Sequence, residues 1–227
     1  MSDKTDIGDR MKAYENVNRT YLPRRTHTIV RVDGRAFHTL LKDAERPFDK
    51  DVINSMDAVA NELFIQIQGA QFAYVQSDEV SVLMTDFDTI QTEPWFGGNI
   101  QKIASVSASI ATMAFNCYEQ YGATFDSRVF TVPDRTEVMN YFLWRQRDCI
   151  RNSIHMVARS LCSHKELQGL NTEQLQEKIY EKTGSSWADY EDRLKRGRVI
   201  KRLSIGSAPV FSATPGEWLD TQIPRLS

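Results

Sequence analysis

Gln71-Phe72-Ala73-Tyr74-Val75-Gln76-Ser77-Asp78-Glu79-Val80-Ser81-Val82-Leu83-Met84 is the stretch on which the fold turns. Gln71–Val75 and Glu79–Met84 read as strands, and the three polar residues between them leave room only for a tight antiparallel hairpin. Upstream, His27-Thr28-Ile29-Val30-Arg31-Val32 alternates apolar and polar residues and reads as a strand ending at Asp33-Gly34. From Asp49 to about Gln68, Val52, Ile53, Met56, Val59, Ala60, Leu63, Phe64 and Ile67 recur at spacings of three and four, which predicts a helix with one buried stripe. Downstream, the small-residue-rich segment from Asn99 to about Gly122 has helical spacing, and Gly122 stops it. Phe125–Val132, closed by Pro133-Asp134, supplies a fourth strand.

The order βαββαβ is the α+β, ferredoxin-like arrangement, a four-stranded antiparallel sheet with two helices on one face. In that topology the end of the first strand adjoins the turn of the central hairpin. Asp33 and Asp78 are therefore expected side by side. The same layout serves polymerase palms and nucleotidyl cyclases, which is an analogy of fold and no more. Beyond Asp134 the pattern becomes helical, over about 136–163 and 172–182, and is followed by a terminal hairpin expected from Arg198–Ile205 and Pro209–Ala213. A tail from Thr214, carrying Pro215, Gly216 and Pro224, is expected to be poorly ordered. The chain thus divides into a palm-like domain, residues 1–135, and a helical, fingers-like region, residues 136–227, packed on it.

Composition limits the alternatives. The chain has 227 residues, 41% of them hydrophobic and 26% charged, enough to bury a substantial core. Its longest apolar runs, about seven residues, fall far short of the roughly 20 that cross a bilayer, and the polar start does not resemble a signal or transit peptide, so a cytoplasmic protein without membrane partners is expected. Cys117, Cys149 and Cys162 are odd in number and widely spaced, which supports core packing over a disulfide framework or zinc site. The net charge of -2 argues against indiscriminate nucleic-acid binding. Charge is nevertheless uneven. Residues 193–202 place six cations in ten positions, Lys195, Arg196 and Arg198 among them, and Arg145, Arg147 and Arg151 form a second group on a predicted helix. Local basic patches of this kind suit a partner engaged on one face.

Two neighbouring aspartates repel unless they are protonated or bridged by cations, and magnesium suits carboxylates together with substrate phosphates. Asp33 and Asp78 are the candidate ligands, with the Gly34 carbonyl as a third; a purely structural Asp-Gly turn is the competing reading. The amides of Arg35, Ala36, Phe37 and His38 are placed to form an anion nest, and the Ser77 hydroxyl to meet a phosphate oxygen. Glu79 points to the opposite face from Asp78 and is read as a supporting group of the catalytic pair. Arg31, Arg46 and Lys102 are expected near the mouth of this site.

Arg31-Val32-Asp33-Gly34-Arg35-x-Phe37-His38, Tyr74-x-Gln76-Ser77-Asp78-Glu79, Phe125-Asp126-x-Arg128-x-x-x-x-Pro133 and Asn140-Tyr141-x-x-Trp144-Arg145-Gln146-x-Asp148 together resemble the tRNA(His) guanylyltransferase family, the 3′–5′ nucleotide-adding enzymes. The motifs run in order over about residues 5 to 205. The resemblance implies a palm-like catalytic domain, two magnesium ions held by Asp33, Gly34 and Asp78, and a homotetramer that grips tRNA. It further implies activation of a tRNA 5′ end by ATP, GTP or another nucleoside triphosphate, then attack by the 3′-hydroxyl of an incoming nucleotide. Ser77 and Arg46 would contact triphosphate, and Arg31 and Lys102 the incoming nucleotide or the RNA end. Arg145, Arg147, Arg151 and the 193–202 run would hold RNA phosphates, with Gln146 and Asn152 positioning an RNA end. After Asp148-Cys149 the sequence departs from the eukaryotic H-I-N-N-L-Y-N pattern and runs Ile150-Arg151-Asn152-Ser153-Ile154-His155-Met156. That departure resembles the guanylyltransferase-like branch, which repairs 5′-truncated tRNA by templated addition. The alternatives are guanylate addition to tRNA(His) and, sharing only the palm, a nucleotidyl cyclase-like enzyme.

Overall fold

The computed structural model describes residues 6–117, 122–201, 204–209, 211 and 217–225. Its centre is a six-stranded antiparallel sheet in the order β4-β1-β3-β2-β5-β6, built from β1 (His27–Gly34), β2 (Ala70–Gln76), β3 (Glu79–Met84), β4 (Phe125–Val132), β5 (Arg198–Lys201) and β6 (Ser204–Ser207). The inner four strands are those expected. The register sets Asp33 opposite Glu79 and Gly34 opposite Phe125, so β1, the β2–β3 hairpin and the start of β4 finish at one rim.

Alternation along the strands gives the sheet two apolar faces. Val30, Val32, Val80 and Val82 pack on α3 (Lys50–Gln66) and α4 (Ile100–Asn116). Ile29, Phe72, Tyr74 and Leu83 meet Val138, Tyr141 and Phe142 of α5 (Arg135–Leu161). The helices of the βαββαβ unit do lie on one face, and the helical region closes the other. At 27 residues α5 is about 40 Å long, against about 27 Å for an eight-residue strand, so its second half overshoots the rim. There Ile154, Val157 and Ala158 pack with Leu175 and Ile179 of α7 (Thr172–Thr183), and with Leu167 at the end of α6 (His164–Leu167), forming a second small core. The rim and this helical block face each other across a cleft.

Two expectations are corrected. Among the described residues the terminal hairpin is made by 198–201 and 204–207: β5 pairs with β2 and extends the sheet, while Pro209 and Phe211 lie outside any strand and Phe211 is buried. Apolar patterning could not separate those alternatives because Val199, Ile200 and Phe211 are all core residues. The described part of the tail, 217–225, is packed: in α9 (Glu217–Gln222) Leu219 is buried, Trp218 stacks on Phe211, and the Arg135 guanidinium holds the Asp220 carboxylate at 3.0 Å. A further helix, α1 (Asp6–Asn16), precedes the first strand and buries none of its residues. Arg202, Ala213 and residues 214–216 fall outside the described residues. Among those described, no helix is long and apolar enough to cross a membrane.

Candidate active site

The sharp turn after β1 sets the geometry. Gly34 donates its amide to the Asp78 carbonyl at 3.0 Å, and Arg35 donates to Thr124 at 2.9 Å, so main chain ties the two aspartate-bearing ends together. A Cβ on Gly34 would lie 2.4 Å from the Phe37 ring, which packs edge-on against Phe115 and Phe125. Glycine here serves close packing. Ala36 then takes a left-handed conformation, φ 53°, and opens α2 (Phe37–Leu40) with no side chain capping it. Across the rim Ser77 also has positive φ, 46°. Strained residues at both turns are characteristic of sites where the backbone is held for a purpose.

Asp33, Gly34, Ser77 and Asp78 open into a cleft of about 720 Å³ that runs beneath the overshooting half of α5. Burial pushes the Asp78 carboxyl above its ordinary range, and the neighbouring Asp33 charge raises it further. That mutual repulsion, together with hard oxygen donors, is the condition a magnesium ion relieves. The residues therefore fit such an ion. Among the described residues no cluster of three or more His, Cys, Asp or Glu side chains could hold a metal, so any third ligand has to come from main chain, solvent or substrate.

Glu79 is excluded from that role by its partners. Arg145 grips it with two bonds of 2.9 Å, Ser81 and Gln76 donate to it at 3.3 Å each, and Arg31 Nε stands 3.4 Å away. Arg31 also approaches Asp33, at 3.8 Å, and Arg145 also donates to Asp148 at 3.0 Å. Asp148 in turn binds Arg151 and accepts from Asn152 at 3.4 Å. A chain of alternating charge thus runs from Asp33 through α5 to the cleft. Ser81 pairs with Tyr141 at 2.8 Å beneath it, and burial lifts that phenol to about 12.

Of the cations expected at the mouth, Arg46 lines the cleft, exposed and braced on the Leu41 carbonyl at 3.1 Å, and His38 lines it too. Arg31 is engaged between Asp33 and Glu79. Lys102 is not there. α4 leaves the far end of β3 and returns to Phe125 at the rim, so its first turn, with Lys102 over the Phe96 ring at 4.7 Å, lies at the opposite end of the sheet.

The basic groups divide in the same way. Arg147, Arg151 and Asn152 are exposed, and the last two line the cleft. Arg145 and Gln146 are buried, and Gln146 donates to Arg196 and Pro209 carbonyls at 3.2 and 2.8 Å. Lys195 is buried against Ala188 and Trp187, and Arg198 against Asp57; Arg196 is half-buried beside Asp192 at 3.4 Å. Arg145, Gln146 and Lys195 thus hold elements together away from the cleft, whereas Arg198 is buried but also lines it. A run of cations in sequence does not reveal which carboxylates meet them in space.

Two residues went unread. His155 and Arg159 line the cleft with Arg151. Their spacing, i, i+4 and i+8, is one face of a helix, and that was the available signal. Burial first, and the two arginines second, hold the His155 imidazole below its ordinary range. Cys149 is a packed thiol, raised to about 11 by burial.

An antiparallel α+β sheet with paired carboxylates at one rim and a cation-lined cleft above them defines a palm-type domain. The family model described as Thg1: tRNAHis guanylyltransferase matches residues 8–133. A solved bacterial tRNA(HIS) guanylyltransferase (Thg1)-like protein in complex with ATP is 43% identical and superposes with a TM-score of 0.91, over 96% of this chain and 99% of that one. A complex with GTP is 41% identical with a TM-score of 0.81, covering 91% and 94%. The tRNA(His) guanylyltransferase of Debaryomyces hansenii is 26% identical over 85% of this chain and 78% of its own length. The protein belongs to the Thg1 family of tRNAHis guanylyltransferases and is a nucleotidyltransferase.

Proposed function

We propose that the protein is a 3′–5′ RNA nucleotidyltransferase that adds nucleotides to the 5′ end of tRNA, with the opposing strand of the acceptor stem as template. The observation that carries this reading is the convergence of Asp33 and Asp78 at one wall of a cleft whose facing wall is Arg151, His155 and Arg159. Carboxylates gather divalent cations and cations gather phosphates. A cleft with one on each side suits a reaction between phosphate-bearing substrates.

Asp33, Asp78 and the Gly34 carbonyl would hold two magnesium ions, which supply charge neutralisation at phosphorus and lower the barrier to attack by a hydroxyl. The uncapped amides following Ala36, the Ser77 hydroxyl and Arg46 bind the triphosphate and fix its orientation. Arg151 and Arg159 hold the phosphate of the RNA end opposite, and Asn152, anchored on Asp148, positions it. Arg31, shared between Asp33 and Glu79, keeps the Asp33 carboxylate turned to the rim. Choice of nucleotide would fall to base pairing within the RNA. Following the family resemblance, the working form is a cytoplasmic homotetramer.

Incubation with a tRNA lacking its first nucleotide, offering ATP, GTP, CTP and UTP separately with magnesium, tests the proposal. Addition of the nucleotide complementary to the opposing base supports it. Addition of guanylate whatever the opposing base would mark the tRNA(His)-type reaction, and cyclic nucleotide formed without RNA would mark a cyclase.

A further inference from the structure

The inner end of the cleft holds an imbalance of charge. Arg198, at the start of β5, is 4% exposed and lines the cleft. Its Nε donates to Asp57 Oδ1, and its Nη2 is buried with no acceptor among the described residues. Asp57 is also taken by Arg193, which donates to Oδ2 at 3.0 Å. Two guanidiniums therefore share one carboxylate. A buried cation with an unmet donor costs free energy unless an anion completes it. Val52, Ile53 and Leu194, with apolar side chains, also line the cleft.

We infer that Arg198 is an anion seat at the inner end of the cleft, taking a phosphate group of a bound substrate through Nη2 while Asp57 and Arg193 fix its guanidinium plane. This rests on the nucleotidyltransferase reading and deepens it by adding a positioning residue apart from the Asp33 and Asp78 rim. The phosphate belongs either to the polyphosphate of a nucleotide or to the 5′ end of the RNA. Arg198 extends the guanidinium in a fixed plane, geometry that an ammonium does not reproduce.

The test uses the full chain and three ligands: inorganic tripolyphosphate, ATP, and tRNA with a 5′-triphosphate. Arg198→Met is expected to weaken tripolyphosphate and ATP binding about tenfold or more if the seat takes the nucleotide. It is expected to raise the KM for the RNA by a similar factor, with nucleotide binding unmoved, if the seat takes the RNA end. Arg198→Lys keeps the charge beside Asp57 and loses the second donor, and should fall between wild type and Arg198→Met; it also provides the reading if Arg198→Met does not fold. Direct binding needs no turnover, so a dependence of tripolyphosphate affinity on Arg198 stands even if tRNA extension fails. Unchanged affinities for tripolyphosphate and ATP together with an unchanged KM for RNA, in a folded variant, would overturn the inference.

Discussion

Asp33 and Glu79 face each other across the β1–β3 register, yet they serve opposite ends. Asp33 opens to the cleft, and Glu79 is enclosed by Arg145, Arg31, Ser81 and Gln76. Two carboxylates paired across neighbouring strands, and both approached by Arg31, thus differ in what encloses them. The enclosed one fastens α5 to the sheet.

Breaking that fastening should show as stability. Glu79 and Arg145 are both buried, so Glu79→Ala leaves a guanidinium without its bidentate acceptor, a change that costs about 3–5 kcal/mol in comparable buried pairs. Denaturant unfolding would measure it, with Glu79→Gln expected to lose less because the amide still accepts. A loss of activity in Glu79→Ala with stability untouched would place Glu79 in the chemistry instead.

The division of the basic residues makes a second contrast. Arg159→Gln, exposed in the cleft, should weaken tRNA binding and lower the slope of log affinity against log salt by about one, the signature of one lost phosphate contact. Arg145→Gln should lower the melting temperature. Its salt slope should stay that of wild type.

At Gly34 the prediction is steric. An alanine methyl would meet the Phe37 ring at 2.4 Å, and that ring is wedged between Phe115 and Phe125. Gly34→Ala should therefore destabilise by about 1–3 kcal/mol, measured by thermal unfolding, and displace the rim enough to reduce extension as well.

His155 gives a pH dependence. Its pKa in the fold lies below the ordinary 6.5, so the unfolded chain takes up the proton first as pH falls. Stability should decline below about pH 6.5 until the folded-state value is passed, and His155→Gln should flatten that part of the profile. Melting curves across that range read the difference between the two proteins. The opposite slope would mean that a carboxylate faces the imidazole.

Much of this was legible in the sequence because it depends on local period. The strand ends at Gly34, Met84 and Val132 and the helices over 50–66 and 135–161 follow from alternation, capping and the Pro133-Asp134 stop. The convergence of Asp33 with Asp78 followed from topology alone. What stayed hidden depends on partners distant in sequence. Arg198 looks like surface charge until Asp57 is placed beneath it, and Lys102 looks close to Asp33 until the direction of α4 is known. The cleft face of Arg151, His155 and Arg159 carried its helical spacing openly, but nothing local showed that α5 would overshoot the rim and bring it there.

The most direct measurement is manganese binding, used as a magnetic stand-in for magnesium and followed by electron paramagnetic resonance, on wild type, Asp33→Asn and Asp78→Asn in the presence of ATP. The shared site predicts that each single change lowers affinity by a similar large factor, about a hundredfold or more for a lost carboxylate ligand. Manganese bound at wild-type affinity by either variant would show that the two aspartates do not act on one metal site.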